Sequence, residues 1–160
     1  VNATGTDYAA NLVFNGVNAV SGDTDLGDTG FIQIDGADVS FAATVNAAGV
    51  EVNASNVVFN DAVDLNGGNL TFSGGYDATL HNGLDGNIDL GGNNATVHID
   101  AGTVTGDIDT SVANTGTLDF AAASGTTAEV LGTIGGTEAL NEIQLNGPGT
   151  VRLDDTSVVL

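Results

Sequence analysis

Apolar and polar residues alternate with a period of two in many short runs along this chain. This period places successive side chains on opposite faces of the backbone, which is typical of a β-strand with one buried face. The runs are Phe31–Ile34, Gly49–Asn53, Asn56–Phe59, Ala62–Leu65, Asn69–Phe72, Asn87–Leu90, Thr96–Asp100, Thr117–Phe120, Glu142–Leu145 and Thr150–Leu153. Because the runs are short and closely spaced, they leave no room for crossover helices and predict a solenoid or a sandwich.

Internal repeats favour the solenoid. Residues 49–61 align with residues 62–74 at a shift of 13, and Asp38–Phe41 aligns with Asn56–Phe59 at a shift of 18. Stacked coils produce such imperfect repeats, since each coil buries its inward face only against its neighbours. We therefore predict an all-β parallel β-helix of about 6 to 8 rungs, with roughly 18 to 26 residues per coil. A β-sandwich built from hairpins is the alternative.

Asparagine recurs at the turns between the predicted strands, at Asn53, Asn66 and Asn93. Two structural roles fit these residues. They can supply the left-handed backbone conformation of a tight turn, or their side chains can stack along the axis as an amide ladder. The sequence does not distinguish between the two roles.

The composition agrees with a thin β core in one domain that spans residues 1–160. Apolar residues make up 41% of the chain, but Trp is absent and Phe occurs only six times, so small aliphatic layers must form the core. The 24 Gly residues disfavour long helices, because each costs about 1 kcal/mol relative to Ala inside a helix. We expect a β-solenoid domain that acts alone or as one subunit of an assembly.

The formal net charge is −20, with Arg152 as the one Lys or Arg residue against 21 Asp and Glu. This balance argues against binding to nucleic acids or to anionic membranes, since both depend on basic contacts. No apolar run approaches the ~20 residues of a membrane-spanning helix. The absence of Cys excludes disulfides and thiolate metal sites.

The densest acidic turn is the segment from Asp23 to Asp28. The carboxylates of Asp23, Asp25 and Asp28 are candidate calcium ligands, because Ca²⁺ is bound by clustered oxygen donors. The segment lacks the closing Glu of an EF-hand, and a solvated polar loop is the alternative interpretation. No other cofactor is predicted.

The residues that most enzymes require are missing or scattered. Lys is absent, which excludes lysine bases and Schiff-base chemistry. His81 and His98 lie in different repeats, and His98 is on the outward phase of its strand, so we interpret both as surface residues. A glycosidase would need two outward carboxylates about 5–9 Å apart in a groove. We predict that the protein is not an enzyme.

Four segments of the C-terminal third follow one another as a strand, a Gly turn and two further strands. They are Asn114–Phe120, Gly132–Gly136, Ala139–Leu145 and Gly147–Leu153. This order resembles the repeats in passenger regions of autotransporter-type proteins, notably the rickettsial outer-membrane surface antigens. The resemblance implies an exported β-helical protein concerned with surface structure or adhesion. The chain is far shorter than such passengers and begins at Val1, so we expect a fragment or a processed small subunit.

These observations predict an extracellular or cell-surface structural protein that forms part of a filament, sheath or surface layer. The chain ends, Asn11–Phe14 and Ser157–Leu160, have strand patterns rather than polar caps, and uncapped coils expose unpaired backbone groups. The expected partner is a second copy, joined by head-to-tail stacking or strand exchange. The alternative is an adhesin fragment that binds a glycan or a host protein, for which Tyr8 and Tyr76 are the candidate aromatic residues.

Overall fold

The computed structural model describes residues 11–16, 18–154 and 157–160, and this part of the chain forms an all-β solenoid of about seven turns. All paired strands are parallel, which confirms the predicted β-helix and excludes the sandwich. The strands are β1 (Asn11–Phe14), β2 (Asn18–Val20), β3 (Thr24–Asp25), β4 (Phe31–Ile34), β5 (Val39–Phe41), β6 (Val45–Asn46), β7 (Gly49–Val52), β8 (Val57–Phe59), β9 (Val63–Phe72), β10 (Asp77–Leu80), β11 (Leu84–Asp89), β12 (Thr96–Ile99), β13 (Gly102–Val104), β14 (Ile108–Asp109), β15 (Thr115–Phe120), β16 (Thr127–Val130), β17 (Leu140–Leu145) and β18 (Thr150–Leu153). A 3₁₀ turn at Gly27–Thr29 follows β3.

Each coil has three sides, along which the strands of successive coils pair. Side 1 contains β3, β6, the first part of β9, the first part of β11, β13, β16 and β18. Side 2 contains β1, β4, β7, the remainders of β9 and β11, and β14, and Ile134 and Val158 extend it as isolated bridges. Side 3 is a separate seven-stranded sheet in the order β2, β5, β8, β10, β12, β15, β17.

The core is the stack of inward side chains from these three sides. Buried aliphatic residues fill most of it, as the composition predicts. Three aromatic residues pack together near the N-terminal end: Phe14 contacts Phe41 edge-to-face, and Phe41 stacks on Phe59 with ring centroids 5.3 Å apart. Thr24, on side 1, is also buried in the core, and its hydroxyl has no hydrogen-bond partner within the described residues.

The coil lengths agree with the predicted range, but one of the two sequence repeats is not a coil repeat. Val39 pairs with Val57 and Phe41 with Phe59, which confirms the shift of 18. The shift of 13 aligns Val50 with Val63, whereas Val50 is the neighbour of Leu70 in the structure. The correspondence of residues 49–61 with 62–74 therefore compares strands on different sides of the solenoid. Both share the period-two pattern because both have one buried face.

Tight corners join the sides, and some require glycine. Gly83 has a φ of +83°, and a Cβ at this position would lie 2.6 Å from the backbone N and O of Thr103 in the next coil. Here the backbones of neighbouring coils approach so closely that any side chain is excluded.

The three turn asparagines differ from one another. Asn66 has a φ of +53°, the left-handed conformation, and its amide also donates to Asn46 Oδ1 at 2.9 Å. Asn53 donates to Asp35 Oδ1 at 3.0 Å and Asn93 to the Ser73 carbonyl at 3.1 Å. Each of these bonds reaches the preceding coil, but the three asparagines do not stack on one another as a single ladder.

The two predicted end strands also differ. Asn11–Phe14 forms β1, as predicted. Ser157–Leu160 does not form a strand: Val158 makes one isolated bridge to Ile134, and the four residues are exposed. The open end of the C-terminal coil is therefore formed by β17 and β18 rather than by the terminal residues alone.

Candidate functional site

The predicted calcium ligands lie directly before β3, in β3 and in the turn after it, on side 1 near the N-terminal end. The Asp23 carboxylate accepts a hydrogen bond from the Thr44 hydroxyl of the next coil at 2.9 Å. Asp25 accepts one from the Gly27 amide at 3.1 Å, and Asp28 lies in the 3₁₀ turn. The described residues contain no group of three or more His, Asp or Glu arranged to hold a metal ion. Calcium binding by Asp23, Asp25 and Asp28 stays a prediction.

The two histidines form matched pairs with aspartates on the outer face of side 3. His81 Nδ1 lies 2.7 Å from Asp100 Oδ2, and His98 Nδ1 lies 2.8 Å from Asp119 Oδ2. Both imidazoles are partly exposed, as expected for surface residues. The buried Asp119 also accepts a bond from the Asn146 amide at 3.0 Å, so that it connects three successive coils.

The geometry of the two pairs gives them a structural role. Each histidine bonds to the aspartate that is its lateral neighbour in the next coil. The pairs therefore tie coils together.

Carboxylates line the outer face of side 2, where a cavity of about 380 Å³ is bordered by Asp89, Asp107 and Asp109. Asp89 and Asp109 are lateral neighbours on adjacent rungs, an arrangement that would suit a pair of catalytic carboxylates only if one of them were available as a proton donor.

The Asp109 carboxylate accepts hydrogen bonds from three backbone amides. Partial burial acts to raise the pKa of Asp109, but hydrogen bonds from Thr137, Glu138 and Thr110 outweigh it, so the pKa lies below the ordinary 3.8. Its Oδ2 accepts from the Thr137 amide at 2.8 Å, and its Oδ1 from the amides of Glu138 and Thr110 at 3.1 and 2.9 Å. Asp109 is thus a hydrogen-bond acceptor that holds the loop after Ile134.

A second cavity of about 340 Å³ lies beside the exposed ring of Phe31 on the same face. Its lining residues are Phe31, Ala48, Val50, Glu51, Gly68, Asn69 and Thr71. Both cavities include Asn69 and therefore adjoin along this face, and we call the two together the side-2 trough. Sequence reasoning did not single out Phe31. The signal was available, because Phe31 alternates in phase with the outward Gln33 rather than with the inward Ile32 and Ile34.

The C-terminal coil exposes residues that occupy inward positions. Leu145 is the lateral neighbour of the buried Phe120, and Leu153 is the neighbour of the buried Val130. Yet Leu145 is 68% exposed and Leu153 is 40% exposed. β17 and β18 are the outermost strands of their sheets, so one backbone edge of each has no neighbouring strand in the described part of the chain.

The candidate aromatic residues for an adhesin provide no platform in the described structure. Tyr76 is partly buried and packs against the core, and Tyr8 lies outside the described residues. No helix among the described residues is long and apolar enough to cross a membrane. Comparisons of the chain with protein-family models, with curated proteins and with solved structures find no match.

Proposed function

We propose that the protein is a structural building block that assembles end to end into an extracellular filament, sheath or surface layer. The observation that carries the proposal is that Leu145 and Leu153 occupy inward positions of the last coil and are nevertheless exposed to solvent. A further coil placed on β17 and β18 would bury these side chains and pair the free strand edges.

A second copy of the chain is the partner that fits this end. All coils run in the same direction, so a strand that continues the stack in the same way is parallel to β17 and β18, as the strands of a first coil are. β1, β2 and β3 are the outermost strands at the opposite end of the described solenoid, on sides 2, 3 and 1. Joining unlike ends is a heterologous contact that does not close on itself, and such contacts generate filaments.

The distribution of charge also favours contact between the ends. The chain has a net charge of −20, yet residues 11–20 and 143–151 contain no Asp, Glu, Lys or Arg. Arg152 is paired with Glu129 at 3.1 Å and with Asp154. Two ends that meet would therefore bury few charges, while the acidic sides of the coils would keep filaments apart in solution.

The cellular location is part of the proposal. Residues 114–153 resemble passenger regions of exported surface proteins, and a chain with no Lys and one Arg lacks the basic groups that intracellular binding to nucleic acids uses. We propose a structural, non-catalytic role at the cell exterior, in which the regular solenoid supplies length and stiffness.

The test is the assembly state of the purified chain, measured by light scattering and negative-stain imaging at about 0.1 M and 1 M NaCl. The Debye length falls from about 10 Å to about 3 Å between these concentrations, so salt should weaken repulsion between the acidic chains and promote filaments. The double variant Leu145→Glu/Leu153→Glu places charge on the open end and should remain monomeric in both solutions.

The matched control is Val112→Glu, since Val112 is 51% exposed but lies between β14 and β15, one coil below the open end. This variant should assemble as the wild-type chain does. A wild-type chain that stays monomeric at about 1 M NaCl contradicts the proposal, as does equal loss of assembly in the control and the end variant.

A further inference from the structure

We propose that the side-2 trough binds a neutral glycan chain that runs along the solenoid axis and stacks on Phe31. This binding is separate from assembly at the coil end. It would attach the structural protein to a polysaccharide surface.

The first observation is the position of Phe31. The other five Phe residues of the chain, Phe14, Phe41, Phe59, Phe72 and Phe120, all lie in the core. Phe31 points outward and is 49% exposed. Its ring leans over Gly49 of the next coil, where a Cβ would lie 2.9 Å from Phe31 Cε1. The glycine thus leaves room for the ring to lie against the sheet with one face open to the trough.

The second observation is the polar rim next to this ring. Glu51 and Asn69 are exposed and Thr71 is half-buried, so a carboxylate, an amide and a hydroxyl surround the cavity. The Glu51 side chain makes no hydrogen bond or ion pair within the described part of the chain, so both carboxylate oxygens can accept from a ligand. Asn69 Oδ1 accepts from Asn87 at 3.2 Å, which orients the Asn69 amide group. An aromatic face beside a few oriented polar groups is the usual composition of a small-molecule site.

The third observation is the length of the trough. It extends from the coil of Phe31 to the coil of Asp109, a distance of four rungs or about 19 Å at ~4.8 Å per rung. A compact ligand would fill only one of its two cavities. A linear chain with both apolar and hydrogen-bonding groups in each unit can contact both cavities at once.

The acidic residues of the trough and the pairing of its strands limit the chemical class of ligand that can bind there. Glu51, Asp89, Asp107 and Asp109 border the trough, so an anionic chain would be repelled. A peptide cannot add as a strand here, because β7 and β9 are paired on both sides. A neutral sugar chain needs no free strand edge. Its C–H faces pack on an aromatic ring, and its hydroxyl groups donate to carboxylates and amides.

Titration calorimetry of the full chain tests this with two neutral probes, β-1,4-linked hexasaccharides of glucose and of N-acetylglucosamine. An oligogalacturonate hexamer is the anionic counterpart. We expect binding of at least one neutral probe with a Kd below ~1 mM, and at least tenfold weaker binding of the anionic probe. Phe31→Ala should weaken neutral binding about tenfold, the loss of roughly one stacking contact. Glu51→Gln should weaken it less.

The control is Val112→Ala, which removes an equally exposed apolar side chain outside the trough and should leave the Kd unchanged. Circular dichroism checks that Phe31→Ala remains folded. The proposal is overturned if neither neutral probe binds, if the anionic probe binds equally well, or if Phe31→Ala binds like the wild type. It is also overturned if Phe31→Ala changes only the assembly state, since Phe31 would then mark a lateral contact between copies. Repeating the titration with Leu145→Glu/Leu153→Glu separates this proposal from end-to-end assembly, because that variant keeps the trough.

Discussion

The middle coils and the C-terminal coil have the same alternating pattern but differ in burial. Phe120 in β15 is fully buried, whereas its lateral neighbour Leu145 in β17 is 68% exposed. Both side chains have the inward phase of side 3. The difference lies in the next rung, which covers Phe120, whereas no strand of the described part of the chain covers Leu145. In a solenoid, alternation therefore determines which face a side chain occupies, and stacking determines whether that face is buried.

The largest expected effect contrasts these two neighbours directly. Phe120→Ala should lower the free energy of unfolding by about 3–5 kcal/mol, since it removes a fully buried aromatic side chain and leaves a cavity. Leu145→Ala should cost less than about 1 kcal/mol in the monomer, because most of its surface is already in contact with water. Urea unfolding at low protein concentration and low salt measures both values.

Repeating these measurements at higher protein concentration tests whether a second copy covers Leu145. Under conditions that favour assembly, the cost of Leu145→Ala should rise, since a second copy would bury Leu145, while the cost of Phe120→Ala should stay near its monomer value. A cost for Leu145→Ala that equals that of Phe120→Ala in the monomer would show that the last coil is covered within one chain.

The next largest expected difference in the free energy of unfolding is between two glycines at positive φ. Gly83 and Gly125 have nearly equal φ values, +83° and +85°, but Gly83 touches the backbone of Thr103 and Gly125 has open space around it. Gly125→Ala should cost about 1 kcal/mol from the backbone conformation alone. Gly83→Ala should cost more than about 2 kcal/mol, because neighbouring coils must also separate.

Thermal or urea unfolding of the two alanine variants provides the measurement. The difference between them isolates the contribution of close coil stacking, since the conformational term is shared. Equal losses in the two variants would contradict the close approach at Gly83.

The class of fold followed from the sequence because alternation is a local signal. All ten predicted runs lie largely within strands, and the shift that pairs Val39 with Val57 is the true register. The coil length was less accessible, since turns have no hydrophobic period: partners are 18 apart at Phe31 and Gly49, but 26 apart at Gly102 and Ala128. Very short strands, such as β3 and β6, have too few residues to show alternation at all.

The candidate sites depended on lateral neighbours, which the sequence does not place. The outward phase of Phe31 was readable, but its cavity exists only because Gly49 and Gly68 lie in the next two coils. The loop held by Asp109 is 28 and 29 residues away, at Thr137 and Glu138. Such contacts become predictable only when the length of every intervening turn is known.

A smaller, stabilising effect is expected at the N-terminal end of side 1. Thr24 occupies a buried inward position whose lateral neighbours in the following coils are Val45 and Val63. Its hydroxyl has no partner, and an unsatisfied buried polar group is unfavourable. Thr24→Val has nearly the same shape and should raise the free energy of unfolding by about 1 kcal/mol. Thr44→Val, whose exposed hydroxyl donates to Asp23, is the control and should give no such gain.

The smallest effect concerns the link between a middle coil and the loop that leads to the C-terminal coil. Since hydrogen bonds lower the pKa of Asp109 in the folded chain, its ionised form stabilises the fold at a pH above the ordinary value of 3.8. That stabilisation is lost as the pH falls through the lowered folded-state pKa. Asp109→Asn should therefore cost less than about 1 kcal/mol at neutral pH, because the site is partly solvated.

At a pH below the folded-state pKa, the stability of Asp109→Asn should approach that of the wild type, because Asp109 is then protonated in both the folded and the unfolded chain. Melting temperatures between pH 7 and pH 2 measure this convergence. Glu51→Gln is the matched control, since the Glu51 side chain accepts no hydrogen bond within the described residues and its replacement breaks no contact of this kind. A constant difference between Asp109→Asn and the wild type over the whole range would mean that the geometry of the acceptor, and not its charge, holds Thr137 and Glu138. The C-terminal coil would then be tethered to the middle coils by neutral hydrogen bonds alone.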